Sequence, residues 1–231
     1  MTAFNDQLVL VTGAGRGLGR ALALAFAAHG ARVAVNDITP VNLDETLVQI
    51  HAAGGRARDY LADIGQKMAV QGMMLTLEDD WGVPDVVINA AAVRPRAPLL
   101  DMDEWDWRRA LDVNLSGAFF LTQIAGRMMR PRRSGCILHI GNTAPTAGND
   151  GAFLASKAGL NALVQQAARE LAPEGIRVNA INPGWLETES TLEFFPHAHS
   201  RPPCLPLGSI TSLALWLCAQ PLSGQIYEVT L

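Results

Sequence analysis

The sequence predicts an α/β fold in which a parallel sheet is covered by helices on both faces. Short apolar runs that resemble strands alternate along the chain with longer segments of helical periodicity. The strand-like runs consist mostly of aliphatic and β-branched residues, as expected for strands buried on both faces. A glycine-rich turn joins the first run to the first helical segment, which is typical of a strand–turn–helix unit.

Seven strands and six helical segments follow from this pattern. The strands are predicted at 8–12, 32–36, 57–61, 85–89, 136–140, 177–182 and 225–229. The helices are predicted at 17–29, 42–53, 66–80, 103–130 with a break, 152–172 and 209–219. The chain has 231 residues with no repeat or linker, so we expect a single domain spanning 1–231.

Composition favours a cytoplasmic protein. Hydrophobic residues make up 49% and charged residues 17% of the chain, which indicates a large buried core. No apolar run is long enough to span a membrane, and the first residues do not resemble a targeting signal. A net charge of −4 argues against nucleic acid as a partner, and the basic cluster at 127–135 is interpreted as a solvated turn.

No metal site is predicted. The cysteines Cys136, Cys204 and Cys218 are scattered, which is untypical of a disulfide framework or a zinc site. His197 and His199 have the spacing of metal ligands, but no neighbouring cysteine or acidic residue completes a set.

The segment 11–37 predicts a dinucleotide site. Gly13, Gly17 and Gly19 follow the first strand and open the first helix, where small residues let the backbone approach a pyrophosphate. Asp37 ends the second strand, where a carboxylate binds the adenosine ribose hydroxyls and repels a 2′-phosphate. The sequence therefore predicts a doubly wound Rossmann fold that binds NAD rather than NADP. Arg16 does not fit this preference for NAD, because a guanidinium in this loop suits the 2′-phosphate of NADP.

These motifs resemble the short-chain dehydrogenase/reductase family over almost the whole chain. The match includes TGAGRGLG at 12–19, LADI at 61–64, NAAA at 89–92, DVNLSGAFF at 112–120 and NPGWLET at 182–188. The resemblance implies an oxidoreductase that transfers hydride between nicotinamide and an alcohol or carbonyl compound. The cofactor-binding residues that it implies are Gly13, Arg16, Gly17, Leu18, Gly19, Asp37, Asp63, Ile64, Asn89, Lys157, Pro183, Gly184 and Thr188.

The catalytic residues of the family are only partly present. The resemblance assigns the catalytic asparagine to Asn114 and the lysine to Lys157. Phe153 stands at the position of the tyrosine acid, and Asn142, followed by Thr143, stands at the position of the serine. The loop between Asn142 and Phe153 is also expected to be shortened. Because a positioned general acid typically contributes about 10²- to 10⁴-fold in rate, the resemblance implies a weakened active site.

Three functional hypotheses remain open at the level of sequence. An active oxidoreductase would take its proton from water relayed by Lys157 and Asn114, or from Asp150, His139 or the pair His197 and His199. A catalytically inactive protein would bind NAD in a structural or regulatory role. An imine or iminium reductase would need no proton on oxygen.

The resemblance also implies assembly, and the substrate stays unassigned. Members of the family form homodimers or homotetramers through the two helices predicted here at 103–130 and 152–172, and through the last strand. The partner expected at the site is a small molecule, but the segment after Thr188 is shorter than the family's usual lid. Trp185 either lines the nicotinamide pocket or packs in the core.

Overall fold

The computed structural model of the protein describes residues 4–143, 148–195 and 197–231. Its seven strands form one parallel sheet in the order β3-β2-β1-β4-β5-β6-β7. The strands are β1 (Leu8–Thr12), β2 (Arg32–Asp37), β3 (Arg56–Leu61), β4 (Val86–Asn89), β5 (Gly135–Ile140), β6 (Ile176–Pro183) and β7 (Ile226–Val229). The predicted fold class is confirmed, and each predicted strand lies within one residue of its observed ends.

Among the described residues, eight α-helices connect and cover these strands. They are α1 (Gly17–Ala28), α2 (Pro40–Ala52), α3 (Lys67–Trp81), α4 (Glu104–Leu111), α5 (Gly117–Met129), α6 (Gly151–Leu171), α7 (Glu189–Phe194) and α8 (Leu207–Ala219). The break predicted within 103–130 is a π-helical turn over Asp112–Ser116. The short helix α7 was not predicted from the sequence. None of the helices described is long and apolar enough to cross a membrane.

The sheet separates two apolar layers. Val9 and Val11 of β1 face one layer, in which α1, α2 and α8 pack, whereas Leu8 and Leu10 face a second layer formed with α3, α5 and α6. All four of these side chains are fully buried. This explains why the strands read as continuous apolar runs, because each face of the sheet has its own core.

The topology fixes the position of the ligand cleft. β1 lies between β2 and β4. β2 and β3 are added on one side of β1, and the later strands are added on its other side. In open parallel sheets, ligands bind beyond the carboxyl ends of the strands at such a switch point. The loops that follow β1, β2, β4, β5 and β6 meet at this edge.

Candidate active site

A cavity of about 950 Å³ lies at the carboxyl edge of the sheet. It brings together most of the residues that the sequence singled out. Those that line it are Gly13, Arg16, Gly17, Leu18, Gly19, Asp37, Asp63, Ile64, Asn142, Phe153, Lys157, Pro183, Gly184 and Thr188. Asn89 and Asn114 lie behind the cavity rather than in its wall. Residues 144–147, in the loop that was expected to be shortened, are outside the described part of the chain.

The glycine loop (12–19) has no room for a side chain at Gly13 or at Gly19. Gly13 has a φ of 66°, and a Cβ atom there would lie 2.6 Å from Cα of Ala91. A Cβ atom on Gly19 would collide with the carbonyl oxygen of Gly13. The loop leads directly into α1, whose first N–H groups have no partner within the helix and favour a negative charge. This cradle fits the pyrophosphate of a dinucleotide.

Asp37 lies at the end of β2 and is held by backbone N–H groups. Its Oδ2 accepts a hydrogen bond from Gly15 at 3.0 Å, and its Oδ1 accepts from Ile38 at 2.8 Å and Thr39 at 3.2 Å. These contacts fix the carboxylate next to the glycine loop, where a cofactor's adenosine ribose would lie.

Arg16 bridges the mouth of the cavity. Its guanidinium forms an ion pair of 3.1 Å with Glu193 on α7, and both side chains are more than half exposed. The contact links the glycine loop to the short helix α7. It also occupies the guanidinium that would otherwise suit a 2′-phosphate.

Two further groups shape the cofactor end of the cavity. Asp63 accepts hydrogen bonds from Arg109 at 2.8 Å and from the backbone N–H of Gly65 at 2.9 Å, while Ile64 is buried beside it. At the opposite wall, Thr188 caps α7, because its hydroxyl accepts a hydrogen bond from the N–H of Thr191 at 3.3 Å.

Lys157 is a buried cation in the cavity wall. Its ammonium group donates a hydrogen bond to the carbonyl oxygen of Ile140 at 2.7 Å and lies 5.7 Å from the ring centroid of Phe153. Burial disfavours the charged form and lowers the pKa of Lys157 from 10.5 to about 8. The group can therefore exchange a proton close to neutral pH.

Asn114 joins elements rather than facing the cavity. Its side chain donates to the carbonyl oxygen of Val93 and accepts from the N–H of Val93, both at 2.9 Å, and also donates to Ser156 at 3.0 Å. The π-helical turn that carries Asn114 thus ties the loop after β4 to α6. It positions that loop and α6, and the predicted role of ordering a water does not follow from these contacts.

Asn89 and His139 form a buried polar chain under the cavity. Asn89 accepts from Thr12 at 2.7 Å and lies 3.4 Å from Nδ1 of His139, whose Nε2 is 3.0 Å from the hydroxyl of Thr122. Burial, and secondarily the charge of Lys157, lower the pKa of His139 from 6.5 to about 3. His139 is a neutral and fully buried core residue that does not line the cavity, which argues against it as a proton source.

Sequence reasoning missed Arg94. Together with Phe153, Trp185, Phe194 and Asp150 it forms what we call the arginine cage. The guanidinium carbon lies 4.8 Å from the ring centroid of Phe153, 4.6 Å from that of Trp185 and 5.0 Å from that of Phe194. Nε and Nη2 donate to the two oxygens of Asp150 at 3.0 and 2.9 Å. A signal was available, because Arg94 follows the carboxyl end of a predicted strand, where ligands bind.

The other proton sources considered from the sequence are not supported by their surroundings. Asp150 is almost fully buried, accepts hydrogen bonds from Arg94 with both carboxylate oxygens, and does not line the cavity. His197 and His199 stack on each other with ring centroids 5.6 Å apart, and neither lines the cavity. No group of three or more potential metal ligands occurs among the described residues.

Comparisons with known proteins agree with this geometry. A family model described as enoyl-(acyl carrier protein) reductase matches residues 13–202. The chain is 35% identical to a 3-oxoacyl-(acyl-carrier-protein) reductase of Synechocystis over 240 residues, covering 99% of this chain and 97% of that protein. It is 37% identical to the enzyme of the same name from Staphylococcus aureus over 185 residues, covering 79% and 75% of the two chains.

A solved structure shows the same fold over the whole chain. A short-chain type dehydrogenase/reductase from Mycobacterium marinum superimposes with a TM-score of 0.92 and 28% identity, covering 99% of this chain and 96% of that one. The family match, the identity to the relatives and the shared fold lead to one conclusion: the chain belongs to the short-chain dehydrogenase/reductase family of oxidoreductases.

Proposed function

We propose that this protein is an NAD(H)-dependent reductase of a small carbonyl compound, in which Phe153 occupies the position of the family's tyrosine acid and Lys157 handles the proton. The observation that carries the proposal is the buried Lys157 ammonium, which lies in the cavity wall beside Phe153 and has a pKa of about 8. The names of the relatives from Synechocystis and Staphylococcus aureus, both 3-oxoacyl reductases, support carbonyl reduction.

The cavity residues fit NAD(H). The glycine loop and the start of α1 would hold the pyrophosphate, Asp37 the adenosine ribose and Asp63 with Ile64 the adenine. Pro183, Gly184 and Thr188 would hold the nicotinamide end. When bound as NADH, the cofactor supplies the hydride that becomes the new C–H bond of the alcohol.

The protein must then supply one proton to the carbonyl oxygen. Lys157 is the titratable group that lines the substrate end of the cavity with a pKa near neutral pH. Its hydrogen bond to Ile140 holds the ammonium group in the wall, and its remaining N–H groups are available to a carbonyl oxygen or to a water. Without a phenol, protonation depends on this group.

The test is NADH oxidation by small ketones and oxo esters over pH 6–10, after calorimetry has shown that NADH binds. The protonated fraction of Lys157 falls as the pH rises through about 8. Carbonyl reduction should therefore slow above pH 8, while the reverse oxidation of the alcohol should speed up. Normal NADH binding with no turnover of any carbonyl would contradict the proposed function.

We also propose that the protein is a homodimer or homotetramer. Large apolar side chains are exposed on α4, α5 and α6 and just before α4: Leu99, Leu100, Trp105, Phe119 and Leu154. Trp105 is 70% exposed, and contact with a second copy would remove apolar side chains of this kind from water.

Light scattering should give a dimer or tetramer for the native protein, and Trp105→Glu should lower the mass. Met68→Glu on α3, which is 75% exposed in the native protein, is the matched control and should leave the mass unchanged. A native monomer at micromolar concentration would contradict the proposed assembly.

A further inference from the structure

Arg94 has two donor edges, and the described residues bind only one of them. Asp150 accepts from Nε and Nη2. Within residues 4–143, 148–195 and 197–231, no group accepts a hydrogen bond from Nη1. A planar guanidinium carries five N–H groups, so the Nη1–Nη2 edge offers a second pair of donors. Arg94 lines the cavity, which leaves this edge for a ligand there.

The charge of the arginine cage and its surroundings favours an anion. Asp150 balances one guanidinium, but Arg96 also lies near it, with Nε 3.9 Å from Oδ1 of Asp150. The cluster therefore holds two guanidinium groups and one carboxylate, a net charge of about one positive unit. Arg94 and Asp150 are 13% and 1% exposed, so their charges are only weakly screened by solvent, whereas Arg96 is 36% exposed.

The aromatic rings hold the guanidinium in one place. Three ring centroids lie 4.6 to 5.0 Å from its central carbon, within the range of cation–π contacts. With Asp150 on one edge, the plane of the guanidinium is fixed before any ligand arrives. A preorganised fork of two parallel N–H groups matches the two oxygens of a carboxylate.

The distance to the proton donor suits a small molecule. The guanidinium carbon of Arg94 and Nζ of Lys157 lie 4.8 and 5.7 Å from the same ring centroid, that of Phe153. The two groups are therefore no more than about 10.5 Å apart, a span that a small substrate can bridge, and the nearby phenyl ring offers an apolar surface for its carbon chain.

We infer that the substrate carries a carboxylate that binds to the Nη1–Nη2 edge of Arg94 while its carbonyl group lies beside Lys157. The substrate class is then a short oxo acid, reduced to the hydroxy acid. This inference rests on the proposed function and names the substrate class of the same site. It makes Arg94 a specificity-determining residue.

The first test compares acetoacetate with its methyl ester and its N-acetylcysteamine thioester, with NADH as reductant. Charge-assisted hydrogen bonds to the carboxylate should raise kcat/KM for the acid at least about 10-fold above both neutral analogues. In the double variant Arg94→Gln/Asp150→Asn, which removes both buried charges of the arginine cage, the preference should fall to about 2-fold or less. Arg108→Gln on the exposed surface of α4 is the matched control and should keep the native preference.

The second test needs no turnover. Calorimetry on the NADH-loaded protein should show saturable binding of butanoate but not of butanamide, and binding of butanoate should be lost in the double variant. If butanoate binds while no carbonyl is reduced, the proposed function fails and the carboxylate site stands. If ketones and the thioester are reduced as well as the acid, or the double variant keeps the preference for the acid while folding normally, the inference is overturned.

Discussion

The two ends of the cavity are built in different ways. The end that would hold the cofactor is positioned by local backbone: Gly13 and Gly19 leave no room for a Cβ atom, and Asp37 is held by three backbone N–H groups. The substrate end is made of side chains from four separate parts of the chain, namely Arg94 after β4, Asp150 and Phe153 at the start of α6, Trp185 after β6 and Phe194 on α7.

The difference explains how each end responds to mutation. The backbone geometry at the cofactor end depends on a few glycines and not on the neighbouring side chains. Replacing a single side chain there should therefore alter the selectivity for the cofactor without disturbing the core. The arginine cage depends on a mutual arrangement of buried charges and rings, so one substitution leaves the other members without a partner. We expect substitutions at the cofactor end to change the selectivity for the cofactor, and substitutions in the arginine cage to lower the free energy of unfolding.

The largest effect is predicted for breaking the buried ion pair. Arg94→Gln leaves the carboxylate of Asp150, 1% exposed, without its partner, and should destabilise the protein by about 3–5 kcal/mol. Arg94→Gln/Asp150→Asn should recover most of that loss, because both buried charges of the pair are then removed. Urea unfolding at pH 7 measures the free energy of unfolding of both variants.

The pair Glu104 and Arg108 provides the comparison at the surface. These side chains are 74% and 71% exposed, and removing either should change the free energy of unfolding by less than about 1 kcal/mol. If substitutions in the buried pair and in the exposed pair changed the free energy of unfolding by the same amount, the arginine cage would not be a coupled unit.

A smaller effect is predicted at the cofactor end. NADH should bind at least about tenfold more tightly than NADPH, because the carboxylate of Asp37 opposes a 2′-phosphate. Asp37→Ser should reduce this ratio to about 2-fold or less, with the free energy of unfolding changed by about 1 kcal/mol. Calorimetry with both cofactors measures the ratio.

Arg16 is the control for that prediction. Because its guanidinium is engaged with Glu193, Arg16→Gln should leave the NADH-to-NADPH ratio unchanged. Equal affinity of the native protein for the two cofactors, together with a loss of NADPH binding in Arg16→Gln, would show that Arg16 rather than Asp37 determines the choice.

The same contrast explains what could be predicted from the sequence. Strand positions follow from apolar runs and the glycine loop from a local motif, since both are properties of neighbouring residues. The arginine cage has no local pattern, because Arg94 and Asp150 are 56 positions apart and meet only after the sheet has formed. The roles of Asn89 and Asn114 were equally hidden, because their partners lie on other elements.

In the proposed function, Lys157 delivers the proton, because Phe153 has no phenolic hydroxyl. Phe153→Tyr keeps the ring that contacts Arg94 and adds a phenol one helical turn before Lys157, whose ammonium favours phenolate and so lowers the phenol pKa. Phe153→Leu is the matched control, since it removes the ring and adds no acid.

The measurement is the rate of carbonyl reduction by saturating NADH in the native protein, Phe153→Tyr and Phe153→Tyr/Asn142→Ser. We predict a rise of up to about 100-fold in Phe153→Tyr, more in the double variant, and none in Phe153→Leu, with NADH affinity unchanged in all of them. If Phe153→Tyr binds NADH normally but loses a substrate that the native protein reduces, Phe153 belongs to a different active site and the account is contradicted.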